Sequence, residues 1–252
     1  MKFVFAGDRQ ISVNILKWIM ERGYIPSALM VSNGEKESHA DELIKISNLS
    51  EDRVFIGNSF SEPASIVTLN SLQVDYFIGI HFPYIISNQV LNIPKIGFLN
   101  LHPAYLPYNK GWHTPSWAIL DGTPYGATLH FMSEELDNGD IINQKEIEVK
   151  IYDTANTLYA KVLKLEEEVF YESFESIVNF KTPRIKQQFK GSSHKKNDLQ
   201  QVREFNLEDN VNVKDFLDKI RALTTNNINE IAYFKENENK IGIKIEFVKL
   251  EN

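Results

Sequence analysis

The sequence contains no cysteine. This absence excludes disulfide bonds, iron–sulfur clusters and thiolate zinc sites, because each of them needs cysteine sulfur. Long apolar runs are missing as well, since the longest mostly apolar stretch, 77–86, is interrupted by His81 and Pro83 and is too short to cross a bilayer. The first residues turn polar too soon for a signal peptide. We therefore expect a cytoplasmic protein that does not bind or span a membrane.

Positive charge is scarce relative to negative charge. The 252 residues carry a formal net charge of −7, which argues against a large surface for the phosphates of nucleic acid. Segment 184–197 is polar and basic but lacks interleaved aromatic residues, so we interpret it as a solvated linker or wrapping segment. The content of 42% hydrophobic residues is typical of a folded domain, and the length allows one domain with a small appendage.

A glycine-rich dinucleotide-binding turn is also missing. The first apolar run is followed by Gly7-Asp8-Arg9-Gln10, which does not have the G-x-G-x-x-G spacing. Free amides at the start of the next helix, with Arg9 beside them, can still bind a phosphate. An ordinary strand–helix turn is an equally good interpretation. Since no two histidines have ligand spacing near an acid, we expect no metal site.

Apolar strands and helical patterns alternate along the first part of the chain. Strands are predicted at 2–6, 25–31, 53–56, 76–80 and 97–101, and helices at 11–22, 40–49 and 63–72. Continuous apolar strands that alternate with helices predict an α/β fold, with a mostly parallel sheet covered by helices on both faces. Ligands of such sheets bind at the carboxyl ends of the strands.

The second part of the chain adds a long helix and a terminal hairpin. We predict strands at 125–132 and 141–149, a helix from Asp153-Thr154 to Thr182-Pro183, a small helix at 209–223, and a β-hairpin of 231–234 and 241–250. In the hairpin, Ile241, Ile243, Ile245 and Phe247 alternate onto one face. Because an isolated hairpin is marginal in water, this face must pack on the parent domain or on a second subunit.

Asn100 and His102 are the strongest candidates for catalysis. They lie two residues apart at a predicted strand end, so their side chains project from the same face. The acid Asp137 follows after one intervening strand. An amide donor, an imidazole and a carboxylate at one sheet edge can stabilise an oxyanion, move a proton and orient the base. Residues with the Asn-x-His spacing alone more often have a structural role. The turn that contains Asp137 favours a catalytic role for these two residues.

The other histidines are interpreted structurally. His39 and His194 lie in polar segments and are predicted to be solvated. His81 and His130 lie in apolar strands, which is typical of core histidines with a single hydrogen bond. His113 lies in the loop that follows His102 and can line a pocket.

Aromatic residues also cluster in this loop, namely Tyr105, Tyr108, Trp112 and Trp117. They pack around a proline-rich turn in one interpretation and form a wall for a flat heterocycle in the other.

Three segments resemble a known family. Leu99-Asn100-Leu101-His102-Pro103, the loop Leu106-Pro107-Tyr108-Asn109-Lys110-Gly111, and Leu136-Asp137-Asn138-Gly139-Asp140-Ile141 resemble the N10-formyltetrahydrofolate-dependent formyltransferases, whose signature is Asn-x-His followed by Asp-x-Gly. Residues 111–117 and 219–224 resemble the branch that formylates nucleotide-linked amino sugars. The resemblance implies a Rossmann-like catalytic domain over 1–183. Residues 184–252 would then supply a linker, a short helix and the hairpin as a dimerisation element.

The resemblance also implies a mechanism. The primary amine of a sugar would attack the formyl carbon of N10-formyltetrahydrofolate, with His102 as base and no metal. Asn100, helped by protonated His102, would hold the oxyanion, and Asp137 would orient His102.

Family position further implies two sets of binding residues. The folate contacts would be Phe82, Pro83, Tyr84, Ile85, Ile86, Asn138, Gly139 and Asp140. The nucleotide-sugar contacts would be Asp8, Arg9, Gln10, Tyr108, Asn109, Lys110 and Trp112.

The part after residue 184 is too short for the large RNA-binding domain of the tRNA formyltransferases. The loop that follows His102 also lacks the arginine-rich sequence of that branch. We therefore expect a small-molecule substrate, no nucleic acid, and a homodimer that buries residues 241–247. The favoured substrate is dTDP-4-amino-4,6-dideoxyglucose, for a bacterial surface polysaccharide such as the O-antigen of lipopolysaccharide. The alternatives are a 3-amino-3,6-dideoxyhexose, a formyltetrahydrofolate hydrolase, and a catalytically silent nucleotide-binding or scaffold protein.

Overall fold

The computed structural model describes residues 1–34 and 37–250. The chain forms two compact units and passes repeatedly from one to the other. The first unit comprises Met1–His102, Thr128–Asn143 and Glu166–Gln187, and the second comprises Pro103–Ala127, Gln144–Leu165 and Gln188–Asn252.

The described residues contain twelve strands and seven α-helices. The strands are β1 Phe3–Gly7, β2 Ala28–Val31, β3 Val54–Ile56, β4 Tyr76–Ile80, β5 Gly97–His102, β6 Lys110–Gly111, β7 Tyr125–Phe131, β8 Ile141–Ile147, β9 Ser193–His194, β10 Glu204–Phe205, β11 Ala232–Glu236 and β12 Asn239–Ile243. The helices are α1 Arg9–Glu21, α2 Ala40–Ser47, α3 Pro63–Ser71, α4 Asn88–Leu91, α5 Thr114–Leu120, α6 Ala155–Val178 and α7 Val213–Ala222. Short 3-10 turns lie at Glu51–Arg53, Ser59–Ser61 and Asp198–Val202.

Seven strands form the main sheet, in the order β3-β2-β1-β4-β5-β7-β8. The first five of them in chain order pair in parallel. β7 then pairs with β5 in the antiparallel direction, with Asn100 opposite His130. At the C-terminal end, β11 and β12 pair as an antiparallel hairpin, and β10 pairs in parallel with β11. The predicted α/β class, with a mostly parallel sheet and a C-terminal β-hairpin, is confirmed.

Burial explains why the central strands are apolar without interruption. Every residue of β1 and of β4 is buried, because both faces of these strands are covered. Phe60, Phe77 and Phe98 belong to one buried cluster beside the sheet. Burying a side chain of this size stabilises the fold by about 1.5–3 kcal/mol.

The C-terminal strand is shorter than the sequence pattern predicts. β12 ends at Ile243, and residues 244–250 form no regular strand, so the predicted strand 241–250 is wrong over its second half. Ile243 packs against a small core of Trp117, Leu199, Leu223 and Ala232. In contrast, the side chains of Val248 and Leu250 are 72% and 81% exposed, so no packing fixes their backbone.

Segment 184–197 wraps within the two units, which is one of the two interpretations drawn from its composition. Ile185 forms an isolated bridge with Ile141 in the first unit. In the second unit, β9 pairs in parallel with β6. Within the described ranges, no helix has both the length and the apolar character that a membrane span needs.

Tyr171 of α6 should make stability sensitive to alkaline pH. Its ring stacks on Trp18 at 4.3 Å, and burial, together with the charge of Glu167, raises its pKa from 10.0 to about 12. Its contribution is therefore complete below pH 10.0 and is lost as the pH rises toward the raised pKa. We expect the free energy of unfolding of Tyr171→Phe, measured with urea across this window, to fall less steeply with pH than that of the parent protein. Equal slopes would contradict this assignment.

Candidate active site

Asn100 and His102 occupy the end of β5, between β4 and β7. Gly79 of β4 lies opposite Asn100, and a Cβ atom there would stand 2.8 Å from the ring of Phe98. Glycine therefore permits close packing beside β5. Asn100 is partly exposed, whereas His102 keeps only 6% of its surface exposed.

Asp137 reaches His102 from the turn that follows β7. Its Oδ2 atom lies 3.5 Å from Nε2 of His102, and its backbone is left-handed, with φ of 50°. A Cβ atom on Gly139 would lie 1.8 Å from the carbonyl oxygen of Phe131, so this close approach requires glycine. Gln187 donates from Nε2 to the carbonyl oxygens of Asp137 and Gly139, both at 2.9 Å. These contacts fix the turn that presents the carboxylate.

His130 of β7 joins the same cluster. Its Nδ1 lies 2.8 Å from the carbonyl oxygen of Phe131, which can only accept, so Nδ1 carries a proton. Nε2 lies 3.2 Å from Nδ2 of Asn100 and 3.6 Å from Oδ1 of Asp137. In the neutral tautomer Nε2 accepts a hydrogen bond from the Asn100 amide. The interpretation of His130 as a core histidine with a single hydrogen bond is therefore wrong.

The structure thus brings together the three residues singled out from the sequence. Each oxygen of Asp137 faces a different imidazole, that of His102 or that of His130. A carboxylate in this position can hold His102 in one orientation and stabilise its protonated form. The side-chain amide of Asn100, which contacts His130, adds a hydrogen-bond donor to this cluster. All four side chains belong to the first unit.

The predicted folate-binding segment 82–86 leaves the sheet directly after β4. The rings of Phe82 and Tyr84 lie 5.5 Å and 6.2 Å from that of Phe60. The Tyr84 hydroxyl donates to Oδ1 of Asn33 at 2.7 Å. Ile85, in contrast, is 94% exposed. The aromatic contacts therefore hold the segment from one side and leave part of it accessible.

Asp8, Arg9 and Gln10 form the turn between β1 and α1. Asp8 is fully buried, and its Oδ1 accepts the backbone N–H groups of Ser38 and His39 at 3.0 Å and 3.2 Å. Arg9 is exposed and left-handed, with φ of 71°, which is uncommon for a residue with a side chain. Gln10 is exposed and donates to Asn14. Asp8 thus organises its surroundings, and the other two side chains reach solvent.

In the second unit, residues 188–194, which we call the strap, hold the loop 105–112. Asn109 is fully buried. Its side-chain Nδ2 donates to Oγ1 of Thr123 at 2.9 Å, and its backbone N–H donates to Oγ of Ser192 at 2.8 Å. Tyr108 packs edge-on against Phe189. Lys110 is 5% exposed and Trp112 is 48% exposed. Of these predicted substrate contacts, Trp112 is the most accessible.

Two further histidines have specific partners in the second unit. The His194 ring stacks on Trp117 at 3.9 Å, and its Nε2 lies 2.9 Å from Oδ2 of Asp121. The prediction that His194 is solvated is therefore wrong. Nδ1 of His113 lies 3.6 Å from Glu230. Burial raises the pKa of Glu230. The hydrogen bond and charge of His113, together with the hydrogen bond of Asn227 and the charge of Lys196, outweigh this effect and leave the pKa lowered.

Across residues 1–34 and 37–250, no group of three histidine or acidic side chains is arranged to hold a metal ion.

Comparison with known families gives a match over most of the chain. Residues 21–174 match the formyl transferase family, which is more than half of the chain.

The chain belongs to the formyl transferase family.

This membership confirms the family that the Asn-x-His and Asp-x-Gly motifs predict. Residues 198–249 of this formyltransferase-family chain also match the C-terminal dimerization domain of N-formyltransferases.

Individual relatives agree with this assignment. The dTDP-4-amino-4,6-dideoxyglucose formyltransferase of Mycobacterium bovis is 28% identical over 61% of this chain, and the match spans 65% of that relative, less than two thirds of its length. The structure of a 4-N formyltransferase from Francisella tularensis is 27% identical, covers 99% of this chain and 98% of its own, and superposes with a TM-score of 0.84. A sugar 3N-formyl transferase solved in the presence of dTDP and 5-N-formyl-THF is 25% identical, covers 96% of this chain and 84% of its own, and has a TM-score of 0.68.

Proposed function

We propose that the protein transfers a formyl group from N10-formyltetrahydrofolate to the amine of a dTDP-linked amino-dideoxy sugar. The observation that carries this proposal is the cluster of Asn100, His102 and Asp137 in a chain of the formyl transferase family. The favoured acceptor is dTDP-4-amino-4,6-dideoxyglucose. We further propose a cytoplasmic location and a product used in a bacterial surface polysaccharide.

His102 is the base in this proposal. When bound, formyltetrahydrofolate supplies the activated formyl group. His102 accepts the proton that the amine loses as it adds to the formyl carbon. It then returns this proton to N10 as the bond between N10 and the formyl carbon breaks, so that tetrahydrofolate leaves and the sugar formamide remains. Asp137, with Oδ2 at 3.5 Å, stabilises the imidazolium that results. A base positioned in this way typically contributes about 10²–10⁴-fold to the rate.

Asn100 stabilises the developing oxyanion. Its side-chain nitrogen has two N–H groups, and His130 accepts one of them. The second N–H remains available to donate to the formyl oxygen as negative charge develops. His130 therefore fixes the direction of the amide before the substrates bind. Removing one donor of this kind typically costs about 2.7–4 kcal/mol of transition-state stabilisation.

The residues of the first unit fit a folate donor. The exposed side of segment 82–86 and the turn that carries Asp137 belong to this unit, as does the reacting cluster. We propose that the following residues contact the folate: Phe82, Pro83, Tyr84, Ile85, Ile86, Asn138, Gly139 and Asp140. Arg9 and Gln10 are proposed contacts of the acceptor's phosphates, because both side chains reach solvent at a strand–helix turn.

In the second unit we propose Tyr108, Lys110 and Trp112 as contacts of the sugar nucleotide. Asp8 and Asn109 are buried and bonded internally, so each would support its loop instead of contacting the substrate directly.

An acceptor panel tests this function. The protein would be incubated with N10-formyltetrahydrofolate and separate dTDP-, UDP- and GDP-linked amino sugars, and each nucleotide sugar would be analysed by mass spectrometry. We expect the mass of one formyl group to be gained by a dTDP-linked sugar. Release of formate without any acceptor would identify a hydrolase, and no turnover of either kind would indicate a binding protein.

The position of the amine is the finer part of the proposal, because one relative is named for 4-N and another for 3-N transfer. We expect kcat/KM to be higher for dTDP-4-amino-4,6-dideoxyglucose than for a dTDP-3-amino-3,6-dideoxyhexose. The reverse order would correct the proposed acceptor and leave the chemistry unchanged.

We also propose that residues 184–252 form a homodimerisation element and that 1–183 carry out catalysis. The match of residues 198–249 supports the dimer, as does the apolar side chain of Ile241, which is 39% exposed. Sedimentation velocity at micromolar concentration should give the mass of a dimer. Ile241→Glu should shift the protein toward monomer, whereas the exposed control Lys244→Glu should not. A monomeric parent protein would contradict this part of the proposal.

A further inference from the structure

One buried imidazole–carboxylate pair in the first unit is not used by the chemistry described above. Both carboxylate oxygens of Glu166, in α6, lie close to Nε2 of His81, at 2.9 Å and 3.0 Å. The Glu166 side chain is 0% exposed and that of His81 is 10% exposed. Because a carboxylate only accepts, the Nε2–H group of His81 donates to both oxygens.

The backbone of His81 is left-handed at the point where the chain leaves β4. His81 is the first residue after β4, its φ is +51°, and it directly precedes segment 82–86. A left-handed backbone is unfavourable for a residue with a side chain and persists only where the surroundings enforce it. Glu166 supplies such a constraint, because it holds the imidazole from the interior of the unit.

The strand end before His81 is fixed independently. The carbonyl oxygen of Ile80 accepts hydrogen bonds from the Ser12 hydroxyl at 2.6 Å and from the Asp8 backbone at 3.3 Å. Ile80 is also the register partner of Leu101, the residue before His102. The backbone at residue 81 therefore determines the direction in which segment 82–86 leaves the sheet, beside the strand end that carries the proposed base.

A purely stabilising role explains this pair poorly. The same helix already buries Val162, Val169 and Phe170 completely. Replacing a buried ion pair by apolar side chains of similar volume is often neutral or stabilising, because taking two charges out of water offsets their attraction. A buried glutamate hydrogen-bonded to an imidazole at this position is better explained by the geometry that it imposes on residue 81.

We propose that His81 and Glu166 are positioning residues that hold segment 82–86 in the conformation that binds the formyl donor. This inference rests on the proposed function, since that function makes the segment a folate contact. The pair does not touch the reacting atoms. It raises the fraction of molecules whose segment is ready to bind, and the apparent affinity of a ligand scales with that fraction.

Binding of 5-formyltetrahydrofolate, measured by isothermal titration calorimetry, tests the pair without turnover. The double variant His81→Asn/Glu166→Leu removes the imidazole and the carboxylate. It keeps a residue that tolerates a left-handed backbone at position 81 and fills the interior with an apolar side chain. We expect its Kd to be about tenfold higher than that of the parent protein, which corresponds to about 1.4 kcal/mol.

Two single substitutions on α6 supply a matched comparison. Glu166→Gln keeps one hydrogen-bond acceptor for His81 and should weaken binding by about threefold, a partial rescue relative to the double variant. Glu167→Gln makes the same chemical change one residue later, where the partner is Asn14 of α1, and should leave Kd unchanged. Binding of dTDP should be the same in all variants. In steady state, KM for the donor should rise while KM for the acceptor stays constant.

Each outcome decides the inference. A parent protein that binds 5-formyltetrahydrofolate and a double variant that binds it equally well would overturn the positioning role but leave the proposed function intact. A parent protein that binds no folate would overturn both. If circular dichroism shows that the double variant is unfolded, the comparison of Glu166→Gln with Glu167→Gln decides, and equal Kd values would overturn the inference.

Discussion

Replacement of His102 by glutamine is expected to lower kcat for formyl transfer by about 10²- to 10⁴-fold, the usual contribution of a positioned general base. Glutamine retains a polar side chain that can still hydrogen-bond to Asp137, but it cannot accept the amine proton at neutral pH. The measurement is the initial rate of formyl transfer to the best acceptor of the panel, followed by mass spectrometry.

The variant must be shown to be folded and able to bind. His102 is buried, so thermal unfolding of the parent protein and of His102→Gln should be compared before the rates are interpreted. We expect the Kd for 5-formyltetrahydrofolate to change by no more than about twofold, because the loss concerns a proton transfer and not ground-state binding. A folded variant that keeps the parent's kcat would exclude His102 as the base.

Asn100→Ala should have the second-largest effect, a decrease in kcat of about 10²- to 10³-fold. Alanine removes the N–H group that is proposed to donate to the formyl oxygen. It also removes the donor that His130 accepts at 3.2 Å, so part of the local order is lost. The same rate assay measures the effect.

A matched control is available for this substitution. Asn70→Ala in α3 also removes an amide, one whose Nδ2 donates to the carbonyl of Ile66 in the same helix. It should leave kcat unchanged. If Asn100→Ala lowered the rate no more than Asn70→Ala, the proposed oxyanion contact would be wrong.

The central strands could be predicted from the sequence because burial leaves a local signature. β1 and β4 are buried on both faces, and their unbroken apolar runs show it. The ends of helices and strands are harder to predict where a single contact determines them. α7 begins at Val213 and not at residue 209, since the Asn212 side chain accepts the N–H of Lys214 and caps the helix. The end of β12 at Ile243 likewise depends on tertiary packing.

In the candidate site, too, residues with a local sequence signature could be predicted, and residues placed by long-range contacts could not. Asn100 and His102 are close in sequence, and the family motif adds Asp137. His130 was missed because only the antiparallel register of β7 on β5 places it opposite Asn100, and register is a long-range property. Glu166 was missed for a similar reason. A lone glutamate on a helix is usually solvated, and nothing local indicates that this one faces His81.

Segment 184–197 shows a limit of composition as a guide. Its lysines and polar residues indicate a solvated linker, yet His194 is stacked on Trp117 and bonded to Asp121. Both partners lie far away in the sequence, so the pairing could not be read from the segment itself. Composition therefore allows a wrapping segment, but only the structure identifies the loop 105–112 that the strap holds.

A crystal structure of the protein with 5-formyltetrahydrofolate bound tests directly whether Asn100, His102 and Asp137 act on the formyl group. We predict that the pteridine lies against segment 82–86. The N10 atom of the ligand, which carries the formyl group in the true donor, should approach the Asn100 amide and the His102 imidazole. A formyl group on that atom would then place its oxygen within hydrogen-bond reach, about 2.7–3.2 Å, of Asn100 Nδ2. A folate bound elsewhere, with Asn100, His102 and Asp137 making no approach to it, would contradict the account.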